Sequence, residues 1–151
     1  MLALIFFSFV GLLIPQQQPN QPSGQSTLVI EERSTHIAVR TRDPQVRYRL
    51  ISGGFISRTT DGGATWNGQL VSPNAALAAG SAPSPTVCWV VGSKGAIYRT
   101  TDGMTWKKIH SPAQADFTAV SAKDASSATL TSAAGKKFST TNSGKSWQPV
   151  P

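Results

Sequence analysis

Between residues 36 and 151, apolar and polar positions alternate in short bursts, each ended by glycine, aspartate or proline. In the segment 46–52, Val46, Tyr48 and Leu50 share one parity while Arg47 and Arg49 share the other. This is the period of two of a strand with one covered face. The run Val87-Cys88-Trp89-Val90-Val91 is apolar at both parities, as in a strand covered on both sides. The corresponding stretch further on is polar, with Thr129, Thr131 and Ser132 around Leu130. Strand-like segments at 36–43, 76–83 and 117–124 are each followed by a second one at 46–52, 87–93 and 128–134. The chain then turns at Gly53-Gly54, Gly95 and Gly135. Third segments read FISRTT, AIYRTT and KKFSTT, and fourth segments start at a tryptophan: TWNGQLV, TWKKIHS and SWQPVP. No stretch in this region has a convincing helical period. The pattern predicts an all-β chain of three four-stranded antiparallel sheets, the middle one sandwiched between two half-exposed ones.

The third-to-fourth connection has one spelling. It is carried by Thr59, Asp61, Gly63, Thr65 and Trp66, then Thr100, Asp102, Gly103, Thr105 and Trp106, then Thr140, Asn142, Gly144, Ser146 and Trp147. The tryptophans stand 40 and 41 residues apart, a period that marks stacked supersecondary units. An Asp or Asn side chain accepts hydrogen bonds from amides further along and fixes a tight turn. Glycine tolerates positive φ there, and the indole supplies a large packing surface. These residues are expected to be structural. The second copy is one residue shorter between Asp102 and Thr105, and the third keeps the acceptor in Asn142 without the charge.

The pattern Ser/Thr-x-Asp-x-Gly-x-Thr-Trp resembles the Asp-box, or BNR, repeat of β-propellers such as sialidases. With a glycine turn and R-T-T-D-G before the Trp, residues 95–106 (GAIYRTTDGMTW) resemble the photosystem II stability/assembly factor family and its bacterial relatives. The resemblance runs over about residues 36–151. It implies four-stranded blades around an axis and a chaperone-like role in assembling a membrane complex. Rings usually close with about four to eight blades, whereas the repeats here, about 36–75, 76–115 and 116–151, number three. The expectation is therefore three four-stranded antiparallel blades of a partial β-propeller, preceded by an apolar N-terminal segment. Two such units in a homodimer would close a six-bladed ring; a monomer would leave the end sheets open.

Outside the repeats, residues 1–14 are almost wholly apolar and 15–26 are rich in Gln and Pro; residues 27–151 form the folded part, where 27–33 (TLVIEER) could add an edge strand. Fourteen residues fall short of the ~20 of a bilayer-crossing helix, and no Lys or Arg precedes Arg33. A signal anchor, a degenerate signal peptide and the end of a longer membrane helix all fit. Each implies an extracytoplasmic location, membrane-anchored or exported. Cys88 is the single cysteine, so no internal disulfide or thiolate metal site is expected, and neither His36 nor His110 has ligand spacing. No metal or cofactor is expected.

Chemistry narrows next. Sialidase-like hydrolysis needs paired acids, yet Glu31 and Glu32 are the only glutamates and lie outside the repeats. Neither histidine sits beside a nucleophile, and phosphate-loop and dinucleotide signatures are absent. No enzyme is expected. The 14 Lys and Arg against 7 acids give a charge of +7. Arg40 and Arg42 share one parity of their segment, as do Arg47 and Arg49 of the next, with Arg33 and Arg58 nearby. If those faces coincide, the first blade offers a guanidinium face for carboxylates. The expected partner is the acidic or C-terminal segment of a membrane-associated protein. Nucleic acid is not expected, because no aromatic-basic platform is present. The scattered Lys107, Lys108, Lys123, Lys136, Lys137 and Lys145 read as edge protection. A second functional reading is the outer sensor part of a membrane-bound anti-sigma-type regulator.

Overall fold

The computed structural model describes residues 36–151. The apolar segment 1–14, the linker 15–26 and the candidate edge strand 27–33, with Arg33, lie outside the described residues. Twelve strands follow within them: β1 Ile37–Arg40, β2 Arg47–Ile51, β3 Phe55–Thr59, β4 Asn67–Leu70, β5 Leu77–Ser81, β6 Cys88–Gly92, β7 Ile97–Thr100, β8 Lys107–Lys108, β9 Phe117–Ala122, β10 Ala128–Ser132, β11 Lys137–Thr140 and β12 Gln148–Val150. They make three four-stranded sheets, ordered β1-β2-β3-β4, β5-β6-β7-β8 and β9-β10-β11-β12. Every pairing is antiparallel. The strands fall inside the segments whose alternation predicts them, with one shift. Each fourth strand begins one residue after its tryptophan, because the indole belongs to the turn.

Burial follows the parity argument. All five residues of β6 are buried. In β2 the buried positions are Tyr48 and Leu50, whereas in β10 they are Ala128, Leu130 and Ser132. The parities are opposite because the end sheets turn opposite faces to the middle one. Two cores result. The first joins Val39, Val46, Tyr48, Leu50 and Ile56 of the first sheet to Ala82, Cys88, Val90 and Tyr98 of the second. The second joins Trp89, Val91, Ile97 and Ile109 to Phe117, Ala128 and Leu130. Burying one such large apolar side chain stabilises by about 1.5–3 kcal/mol, so the joints between sheets hold the fold. Burial also pushes the Cys88 thiol up, which makes it a core hydrophobe.

The first strands of the three sheets, β1, β5 and β9, run side by side along a common groove. Gly80 allows this: a Cβ there would stand 2.6 Å from Cγ2 of Val39. The Ala122 amide donates to the Ser81 hydroxyl at 3.0 Å, tying β9 to β5. At the opposite end of the first sheet, Gly54 has φ +82° and leaves no room for a side chain, since a Cβ would meet the Ser72 carbonyl oxygen at 1.8 Å. Among the described residues, no helix is long and apolar enough to cross a membrane.

Candidate functional site

The three repeated turns are hydrogen-bonded in one way. The Thr59 hydroxyl donates to Asp61 at 2.7 Å and accepts from the Gly63 amide at 2.9 Å; Asp61 accepts the Thr65 amide at 2.9 Å and the Thr65 hydroxyl. In the shorter second turn, the Thr100 hydroxyl donates to Asp102 and accepts from Gly103, both at 2.9 Å, and Asp102 accepts from the Met104 and Thr105 amides. The third repeats the first through Thr140, Asn142, Gly144 and Ser146. These bonds hold the Asp61 and Asp102 carboxyls well below the usual carboxylate range, led by the Thr65 hydroxyl in the first case and the Thr105 amide in the second. The remaining described aspartates also accept backbone amides: Asp43 from Gln45, Asp116 from Lys94, Asp124 from Ser126 and Ser127. Each is a backbone anchor, and the described residues contain no grouping of His, Cys, Asp and Glu that could hold a metal.

The tryptophans work between sheets. Trp106 meets the Tyr48 ring edge-on at 6.2 Å and donates to Gln69 Oε1 at 2.6 Å. Trp147 meets Trp89 at 6.3 Å and donates to the His110 carbonyl at 2.8 Å. Trp66 has no earlier sheet to meet among the described residues. Its indole N–H donates to Gly63 of its own turn at 3.0 Å.

Arg58 was expected on the basic face of the first blade, and the register corrects that. It pairs directly with Tyr48, on the face turned toward the second sheet. There its guanidinium lies 5.8 Å from the Tyr48 ring centroid and donates to the Pro85 carbonyl at 3.1 Å, beside the Tyr48 hydroxyl, which donates to the same oxygen at 2.9 Å. The second joint repeats this. Arg99, opposite Trp89, lies 5.1 Å from its ring and donates to the Ala125 carbonyl at 2.5 Å, while the Trp89 indole donates to Asp124 O at 3.1 Å. The arginine of R-T-T is a clasp between sheets. The signal for this in the sequence is the same arginine in two repeats, Arg58 and Arg99, each in a third segment whose neighbouring second segment carries an aromatic.

The other arginines gather on the opposite side of the first sheet. Arg40 and Arg47 are direct cross-strand partners, and Arg49 is opposite Ala38 on that same face; Arg42 follows in the β1–β2 turn. Arg40 and Arg47 are exposed, and no carboxylate pairs with either among the described residues. Arg40, Arg42 and Arg47, with Thr41, Asp43 and Pro44, line a cavity of about 310 Å³. An adjoining cavity of about 500 Å³ at the end of the groove is lined by Arg40 and Arg42, by Gly80–Pro83 and by Lys123 of the third sheet. Arg40, Arg42 and Lys123 thus border one cavity where β1, β5 and β9 end. Arg47 and Arg49 are also engaged within their own sheet. Arg47 donates through Nε to the Pro44 carbonyl at 3.1 Å, and Arg49 lies over the Trp66 ring at 3.6 Å.

No protein-family model matches the chain, and no curated protein matches it in sequence. Solved structures do. YCF48 bound to D1 peptide superposes with a TM-score of 0.67 at 24% identity, over 74% of this chain and 38% of that one. YCF48 from Cyanidioschyzon merolae gives 0.63 at 26%, over 71% and 36%. The three sheets are propeller blades. A GH74 xyloglucanase from Xanthomonas campestris also superposes, with a TM-score of 0.56 at 18% identity over 78% of this chain and 19% of that one. The chain spans well under half the length of each of these structures.

Proposed function

We propose that the chain is a non-catalytic protein-binding module built of Asp-box blades of the photosystem II assembly-factor kind. It docks an acidic or C-terminal protein segment at the mouth of the inner groove. The observation that carries this reading is the direct pairing of Arg40 with Arg47 beside Arg42, the three lining one cavity in which Asp43, the carboxylate among its lining residues, accepts the Gln45 amide. Like charges placed directly opposite on a sheet are destabilising, so a ligand carboxylate offsets a cost that the fold alone leaves in place. Arginine suits the task because its planar fork takes a carboxylate through two bonds. A similar propeller fold is seen with a D1 peptide bound in YCF48, which supports a peptide as the ligand class. A hydrolase reading suggested by the xyloglucanase has less support, since each described aspartate is spent on backbone amides. In this reading the blades lie outside the cytoplasm and the apolar run 1–14 tethers or exports them, so that they aid assembly of a membrane complex.

The test is titration of the full chain with a fluorescent acidic peptide ending in a free carboxylate. Replacing Arg40 and Arg47 together by Ala should leave the fold intact and weaken binding at least tenfold. Unchanged binding in that variant would discard the site.

A further inference from the structure

The two joints between blades are built from matching halves, which makes the two outer faces comparable with them. The donor half is the face a blade turns to its successor: an aromatic on the second strand and an arginine directly opposite on the third, Tyr48 with Arg58 and Trp89 with Arg99. The acceptor half is the face turned to the predecessor: the loop carbonyl three residues before the second strand begins, the motif tryptophan, and small or apolar residues on that strand. In the second blade these are Pro85, Trp106, Cys88 and Val90; in the third, Ala125, Trp147, Ala128 and Leu130.

Both outer faces depart from this scheme. On the first blade the acceptor positions are Pro44, Trp66, Arg47 and Arg49. Arg47 takes the Pro44 carbonyl that a preceding arginine would take, and Arg49 covers the indole that a preceding aromatic would meet. On the third blade the donor pair is Thr129 opposite Ser139, with neither a ring nor a guanidinium. The first face satisfies its own acceptors, and the last has lost its donors.

We infer that Arg47 and Arg49 act as an end cap on the first blade, and that the three-blade unit does not join a second copy of itself through the blade joint. Repeat stacks need terminal units with a polar outer face, and here the cap is made by substituting arginine for the buried residues of the joint. The inner groove of β1, β5 and β9 then stays open along one side rather than closing into the channel of a six-bladed dimer. This inference shares Arg47 with the peptide reading but stands on Arg49 over Trp66 and on the Thr129–Ser139 pair of the third blade. Phe55 and Leu70 stand exposed at the outer edge of the same face, 46% and 52% accessible, and belong in the test.

The experiment compares the mass of full-length chains in one mild detergent by light scattering after size exclusion. One variant rebuilds both halves of the joint: Arg47→Ala and Arg49→Leu on the first blade, Thr129→Trp and Ser139→Arg on the third. It should associate head to tail with rising concentration, at least doubling in mass relative to wild type. The first-blade pair alone should keep the wild-type mass, since the other end still lacks its donors. Equal mass for the wild type and the four-site variant would overturn the inference. So would wild-type association abolished by Arg49→Glu or Phe55→Ser, because that face would then be a docking surface. If the four-site variant does not fold, Arg49→Ala carries the test. A cap requires its indole fluorescence to become more quenchable by acrylamide, with no change in Arg40→Ala, and equal quenching would overturn it. Arg47 belongs to both proposals, so peptide titration of Arg42→Ala, which touches only the binding site, and quenching in Arg49→Ala, which touches only the cap, tell their failures apart.

Discussion

Arg58 of the first blade donates to the carbonyl oxygen of Pro85 in the second at 3.1 Å, and Tyr48 brings its hydroxyl to the same oxygen at 2.9 Å. One acceptor holds two donors across this joint, whereas one blade on Arg99 and Trp89 donate to the neighbouring carbonyls of Ala125 and Asp124. A hydrogen bond from a charged donor contributes about 1.5–3 kcal/mol net. Arg58→Ala and Arg99→Ala should therefore each lower the urea unfolding free energy by about 1–3 kcal/mol. Lysine should restore little of it, having no planar guanidinium to set beside the ring while it donates to the carbonyl. Arg40→Ala, by contrast, should not lower the urea midpoint and should raise it slightly, since it removes the like-charge pairing with Arg47.

The close approach of β1 to β5 gives a second prediction. Val39 is stiff at its branched carbon, so the methyl of Gly80→Ala has no flexible neighbour to displace. Overpacking of this kind typically costs about 1–3 kcal/mol. Adding Val39→Ala should recover part of the loss, a non-additivity that a double-mutant cycle measured by thermal unfolding would read.

How much of this was legible beforehand follows from which signals are local. Alternation and glycine turns located all twelve strands, because period and turn chemistry lie within a few residues of each strand. The doubly apolar run 87–91 marked the middle sheet for the same reason. Arg58 was misplaced because strand parity says which residues share a face, but not which face meets the neighbouring sheet. That choice is made by contacts far apart in sequence, such as Tyr48 with Trp106. The inner groove was likewise invisible, since Arg42 and Lys123 come from different blades and only the packing of β1, β5 and β9 brings them near one cavity. Parity alone puts Arg40 with Arg42 and Arg47 with Arg49; the direct pairing of Arg40 with Arg47 is set by the register of β1 with β2.

The turn carboxylates should make stability fall in acid. Asp61, Asp102 and Asp124 are all held below their ordinary values in the folded chain. A carboxylate lowered in this way stabilises the fold above its unfolded pKa of about 4. The contribution disappears as pH falls below that value through the folded one. The thermal midpoint should accordingly be flat from pH 8 to 5 and drop from about pH 4 downward. Asn142 shows that the third turn keeps its bonds without a charge. Asp61→Asn with Asp102→Asn should therefore flatten the acid limb, and an unchanged limb would mean that other groups control it. At the alkaline end, burial and the neighbouring Cys88 push Tyr48 up to about 12. Its contribution is complete below the ordinary phenol value of about 10 and is lost as pH rises toward 12, so Tyr48→Phe should remove that part of the alkaline slope.

The convergence of Arg40, Arg42 and Lys123 at one cavity separates two ways in which a basic protein attracts an acidic peptide. A general field acts through net charge, is screened over about 8–10 Å at physiological salt, and responds alike to any lysine removed. A built site responds to position. Lys123→Ala and Lys145→Ala remove the same charge, but only Lys123 borders the groove cavity with Arg40 and Arg42. Binding of a carboxylate-terminated acidic peptide should therefore weaken several-fold in Lys123→Ala and scarcely change in Lys145→Ala, measured by fluorescence anisotropy at matched salt. Arg42→Lys should fall between wild type and Arg42→Ala, because lysine keeps the charge and loses the two-pronged geometry. Equal losses in Lys123→Ala and Lys145→Ala would mean that the field, and not the groove, draws the peptide.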